Sequence, residues 1–236
     1  MEDQPTSEIF IPKVRPSSSR MIAATGLFGA LAILLTSLSQ ALGLNFPILP
    51  YLQFDLGEVA IIIAFLLFGP IPATTAAFVE FLTLMVLGEN IPWGPVLKII
   101  AVLSTLGGLW FGMMLAKKAS KNPKMVVKLG SSLGMGLLFR AAFMTVANYY
   151  LIVFIYTVGG MTSLVSSTFR LIGITISSTS TLTLILGFTA IFNCLQLLLV
   201  FGISYALVRL PQLRRSLRSN RMAWFESFGT TIEERK

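Results

Sequence analysis

Long uncharged runs dominate this chain, in place of the strict alternation of a half-buried strand or the narrow apolar stripe of a surface helix. The first, residues 21–44, is long enough for one membrane crossing, which takes about 20 apolar residues. A polar interval follows at 45–58, with Pro47, Pro50, Asp55 and Glu58. Apolar residues resume at Val59 and continue to Leu87, broken by Gly69-Pro70-Ile71-Pro72. Further runs cover 96–116, 129–156 and 184–208, and a Ser/Thr-rich stretch at 157–183 separates the last two.

Length alone leaves region 59–87 open: one long kinked helix, or two short helices joined at the prolines. Charge decides between them. Of the 18 Lys and Arg, all but Lys98, Arg140 and Arg170 fall in three clusters. The first is Lys13, Arg15 and Arg20; the second is Lys117, Lys118, Lys121, Lys124 and Lys128. The third runs from Arg209 through Arg214, Arg215, Arg218 and Arg221 to Arg235 and Lys236. Basic loops stay on the cytoplasmic side. All three clusters share that side only if 59–87 crosses twice, turning at Gly69–Pro72. The expectation is therefore an all-α membrane protein, a bundle of six transmembrane helices with both termini cytoplasmic. It comprises an N-terminal tail (1–20), the bundle (21–210) and a basic C-terminal tail (211–236). A cleaved signal peptide at the start is disfavoured, because the first apolar run is too long for one.

Composition agrees. The chain of 236 residues is 55% hydrophobic and only 12% charged, with a mean hydropathy of +0.81. A soluble domain carries about a quarter charged residues, so a multi-pass protein of the cell (plasma) membrane is expected. The net charge of +8 then reports topology and contact with anionic lipid, and no nucleic-acid partner is expected. Cys194 is the sole cysteine and there is no histidine, which removes disulfides, the commonest metal ligand and any Ser-His pair. No phosphate-binding loop and no GxSxG, HExxH or CxxC motif occurs. An enzyme is not expected, nor a resident cofactor or metal.

Polar side chains inside a bilayer are costly and each needs a partner or a ligand. The candidates are Glu80, Lys98, Arg140, Asn148, Asn193 and Gln196. From the inferred helix directions, Lys98, Asn148, Asn193 and Gln196 converge in the outer half of the bundle. Glu80 and Arg140 are expected nearer the middle or inner half. Asn193 and Gln196, three apart, share a helix face. The plain alternative is that the amides glue helices together. Tyr149, Tyr150, Tyr156 and Trp93 add aromatic surface at the same level; they belong either to the interfacial belt or to the wall of a site for a flat heterocycle. Gly26 and Ala30, like Thr25 and Gly29, have the spacing of a small-residue packing face.

Three segments carry a family resemblance. Tyr51-Leu52-Gln53-Phe54-Asp55-Leu56-Gly57-Glu58-Val59, followed by Phe68-Gly69-Pro70, is similar to the "FDFSD-x-P … FGP" pattern of riboflavin-type substrate-binding (S) components of energy-coupling factor (ECF) transporters. Met144-Thr145-Val146-Ala147-Asn148-Tyr149-Tyr150 resembles that family's "MT-x-x-NYF" helix, and Ile191-Phe192-Asn193-Cys194-Leu195-Gln196 its "PFN-x-x-K" helix. The resemblance implies a vitamin-binding membrane subunit whose outward-facing cavity is capped by the first outer loop. It also implies a transmembrane coupling (T) component and two cytoplasmic ATPases as partners, with riboflavin as the possible transported ligand. Carried over, Asn148 and Asn193 contact the ligand, and Gln196 takes the place of the family's lysine. Lys98, Tyr149, Asp55 and Glu58 complete the expected binding set, and Gly26 and Ala30 match the coupling-protein contact. This chain departs from the pattern at Gln196, at Glu80, where the family tends to have a Lys-Asn pair, and at Lys98, where an acid or amide is usual. Two other readings stand beside this one: a scaffold protein with a dry interior, and an ion-coupled carrier using Glu80 and Arg140.

Overall fold

A computed structural model describes residues 18–49, 51–87, 92–120, 123–158, 179–210 and 224–227. Six helices build the bundle: α1 (Ser18–Ala41), α2 (Gly57–Phe68), α3 (Pro70–Leu87), α4 (Trp93–Ala119), α5 (Met125–Val158) and α6 (Thr179–Arg209). A one-turn helix, α7 (Trp224–Ser227), follows. Most of the expected N-terminal tail, the C-terminal tail and the Ser/Thr-rich stretch 157–183 lies outside the described residues.

Side-chain contacts give the helix directions. Gly29 of α1 faces Val79 of α3 and Thr36 meets Glu80, so α1 and α3 run parallel. Phe28 of α1 packs on Phe68 of α2 at 6.0 Å between ring centroids, while Thr36 lies beside Gly57, so α2 runs back. Gly108 and Gly112 of α4 lie against Gly136 and Ser132 of α5, again antiparallel. Gly136 then faces Leu197 of α6 and Arg140 faces Asn193. Direction alternates from α1 to α6. Lys117 and Lys118 at the end of α4, Lys124 and Lys128 at the start of α5 and Arg209 at the end of α6 therefore share one end of the bundle.

Five helices (α1, α3, α4, α5 and α6) contain stretches long and apolar enough to cross a membrane. Among the described residues, the helix expected as the second of the six spans is shorter than a full crossing: α2 has 12 residues and rises about 18 Å, against a hydrocarbon core of about 30 Å. It ends where Gly69 adopts φ 96°, a left-handed conformation open to glycine, and Pro70 starts α3 with a preset helical φ and no N–H to satisfy. Trp224 of α7 closes over this turn and packs edge-on against Phe65 at 5.4 Å. The other end of α2 is cut short because the interval 45–58, expected as an outer loop, turns into the bundle, with residues 45–49 and 51–56 as irregular backbone ahead of the helix.

This descent begins at Gly43, whose φ of 59° terminates α1. Phe46 N–H donates to Leu52 O and Phe54 N–H to Leu44 O, both at 2.7 Å, which folds the segment on itself. Its Phe46 and Leu49 are buried with Ile185 and Phe192 of α6. Irregular backbone at membrane depth survives only where protein satisfies its polar groups. Here Ser39 Oγ accepts from Leu56 N–H at 2.9 Å, and Gln53 Nε2 donates to Ser39 O at 3.0 Å. Gln196 takes both main-chain groups of Asp55, donating to its carbonyl at 2.7 Å and accepting from its N–H at 3.4 Å.

Candidate functional site

The descending segment delivers Asp55 and Glu58 to charged side chains that the helices hold at mid-depth. Two clusters result. In the first, Lys98 of α4 is ion-paired with Asp55 and with Glu80 of α3 at 2.7 Å, and it donates to Thr36 Oγ1 at 2.6 Å. The Thr36 hydroxyl lies 2.8 Å from Asp55 Oδ1 and 2.7 Å from Glu80 Oε1. Gly57 permits this approach: a Cβ there would sit 2.6 Å from Glu80 Oε1 and 2.7 Å from Ala32 O. In the second, the Arg140 guanidinium of α5 forks onto both carboxylate oxygens of Glu58. It also donates to Asn193 Oδ1 and to Thr105 Oγ1, each at 3.1 Å. Bidentate pairing with further hydrogen bonds is what makes buried ions tolerable in a bundle. Arg140 and Glu58 are 2% and 4% exposed.

A cavity of about 200 Å³ opens beside both clusters. Asp55, Glu58, Lys98, Arg140, Asn148 and Asn193 line it, together with Thr36, Ser39, Tyr51, Gln53 and Phe192. It lies at the end where α1 and α5 finish and α4 and α6 begin, opposite the end that carries Lys117, Lys118, Lys124, Lys128 and Arg209.

Of the residues expected from sequence, the structure brings Asp55, Glu58, Lys98, Asn148 and Asn193 to this cavity. Gln196 is 1% exposed and absent from the lining; it is spent on the Asp55 main chain. Tyr149 is not among the residues that line the cavity. It is 42% exposed and stacks edge-on against Tyr150 outside the bundle, because a helix turns about 100° per residue and Asn148 already takes the inward direction. Trp93 is likewise exposed. A Cβ at Gly26 would meet nothing within 4 Å and Gly26 and Ala30 are exposed, so no described residue covers this face of α1, while Gly29 on the adjoining face packs on Val79.

Sequence reasoning set Arg140 and Glu80 below the pocket, yet Arg140 lines it and Glu80 anchors the Lys98 cluster. The missed signal was a sum of opposite charges. Two acids next to an apolar run matched two basic residues stranded within spans. Thr36, Ser39, Tyr51 and Gln53 carried no comparable mark.

Comparison with known proteins yields two matches. A family model described as ECF transporter, substrate-specific component, matches residues 20–208. A solved structure described as the S component of a bacterial ECF transporter has a TM-score of 0.62 at 19% identity, covering 86% of this chain and 99% of that one. At that identity the likeness concerns the fold. No curated protein sequence matches.

Proposed function

The chain belongs to the ECF transporter substrate-specific component family, and from that premise we propose that it binds riboflavin or a similar flat heterocycle and delivers it inward. Such components associate with a transmembrane coupling component and ATPases, and the family is a transporter component rather than a known enzyme. In this proposal ATP is hydrolysed by two cytoplasmic partners, since the chain has no phosphate-binding loop. The coupling component docks on the uncovered Gly26/Ala30 face of α1, where small residues permit close helix approach.

The observation that carries the reading is the polar cavity at the end opposite Lys117, Lys118, Lys124, Lys128 and Arg209. Retention of basic loops in the cytoplasm makes that end the outer one, in the plasma membrane. A dry scaffold bundle has no use for such a cavity. Its 200 Å³ amounts to about seven waters, below the roughly 300 Å³ at which pockets for drug-sized ligands begin. A three-ring ligand therefore enters with an outward shift of residues 51–55, which supply Tyr51, Leu52, Gln53 and Asp55 to the cavity wall.

Riboflavin fluorescence tests the reading. Titrated into purified protein, the flavin should be quenched with a Kd below about 1 µM. Asn148→Ala should weaken binding by about 1–3 kcal/mol, roughly 5- to 150-fold, through loss of a buried hydrogen bond. Quenching absent at micromolar flavin rejects riboflavin. Unchanged affinity in Asn148→Ala returns that amide to helix packing.

A further inference from the structure

Apart from the Gln40 amide, the hydrogen-bond donors of the charged and asparagine side chains in the cavity wall are largely spent, while acceptors are not. Lys98 gives its ammonium to Asp55, Glu80 and Thr36. Arg140 gives its guanidinium to Glu58, Asn193 and Thr105. Asn193 is closed at both ends, accepting from Arg140 and donating to Thr189 O at 2.9 Å. Asn148 differs. Its amide nitrogen donates to Met144 O at 2.8 Å, and its Oδ1 has no partner among the described residues although the side chain is 2% exposed and lines the cavity. It is an acceptor on the cavity wall, open to whatever enters.

Charge points the same way. Arg140 and Glu58 cancel as a pair, whereas Lys98 alone serves the two carboxylates Asp55 and Glu80. With both carboxylates ionised the Lys98 cluster is one positive charge short, in surroundings where an unbalanced charge is expensive. Its charged groups that reach the cavity are Lys98 and Asp55, at 14% and 15% side-chain exposure.

We propose that the cavity selects a small flat ring compound carrying a cationic N–H group, an amidinium or a protonated ring nitrogen. This group bridges Asn148 Oδ1 and the Asp55 carboxylate. The inference rests on the cavity being the ligand site and narrows the heterocycles it takes. A cationic N–H supplies the missing charge and the missing donor together, and charge-assisted hydrogen bonds are the stronger kind. An anionic ring would meet these carboxylates with no unpaired cation among the described residues of the cavity wall to offset them.

Benzamidinium, benzamide and benzoate share one shape and carry +1, 0 and −1 charge, which isolates the effect. Binding of each to the purified full chain in mild detergent at neutral pH is measured by calorimetric titration, with riboflavin titrated in parallel. The expected order is benzamidinium tighter than benzamide by at least about tenfold, with benzoate weakest. Asn148→Leu should weaken benzamidinium by at least about fivefold. Tyr149→Phe, on the outer surface, should change nothing. Equal affinity for the cation and the amide overturns the proposal and assigns the surplus charge to a proton. Benzoate binding best, or none of the three binding, overturns it as well. Cation preference without riboflavin binding supports the proposal and rejects riboflavin, whereas riboflavin binding without cation preference does the reverse.

Discussion

Arg140→Ala is expected to destabilise the protein by about 3–5 kcal/mol, the cost of leaving a buried charge without its partner. Glu58 is 4% exposed and has its two carboxylate oxygens on the guanidinium. Without Arg140 it faces the low-dielectric interior alone, and Asn193 Oδ1 and Thr105 Oγ1 lose a donor at the same time. The pair also joins α2 to α5, so its loss frees the short helix at its upper end. Thermal unfolding in mild detergent measures the effect. The double variant Glu58→Leu/Arg140→Met should recover most of the loss, because apolar replacement of a buried ion pair is near neutral. A single variant as stable as wild type would mean that water reaches Glu58 and that the clusters are not buried.

Gly112→Leu should be the most damaging change of size. A Cβ at Gly112 would lie 2.6 Å from Ser132 Cα and 2.7 Å from the Ser131 carbonyl carbon, and both are backbone that cannot turn aside. Helices α4 and α5 meet here closely enough for Ser132 Oγ to donate to Leu109 O at 2.8 Å. Forcing them apart costs more than the roughly 1–3 kcal/mol of ordinary overpacking. It also displaces Lys98, Thr105, Arg140 and Asn148, which those two helices carry to the cavity. Gly107→Leu is the control: a Cβ there meets nothing within 4 Å, so its stability should stay within about 0.5 kcal/mol of wild type. Equal loss in both variants would locate the damage in helix propensity instead of the α4–α5 contact.

The alternation of helix directions was legible because it depends on which loops hold lysine and arginine, a property that composition displays. The turn at Gly69-Pro70 was legible because one residue allows a left-handed φ and the next starts a helix. The depth at which α2 begins was not. An apolar run starting at Val59 says where a helix can form and nothing about the level of its first turn. Polar segment 45–58 reads as an exposed loop until Ser39 and Gln196 are seen to satisfy its backbone, and those partners come from other helices. The misplacement of Arg140 and Glu80 follows from that error, since their carboxylate and ammonium partners were assigned to other depths.

Asn148 and Asn193 stood out as amides in apolar spans and both reach the cavity. Gln196 stood out equally, but its bonds serve the Asp55 main chain. At Gln196 the chain places a group that both donates and accepts, as the two main-chain groups of one residue require. Sequence marks such a residue as costly to bury. It does not say whether the cost is offset by ligand or by backbone.

Mass spectrometry of the protein purified in mild detergent tests the central claim most directly. The account predicts a small nitrogen heterocycle bound one to one in wild type and lost from Asn148→Leu. A wild-type protein that carries only lipid and takes up no heterocycle when offered one would contradict it, and so would equal retention by the variant.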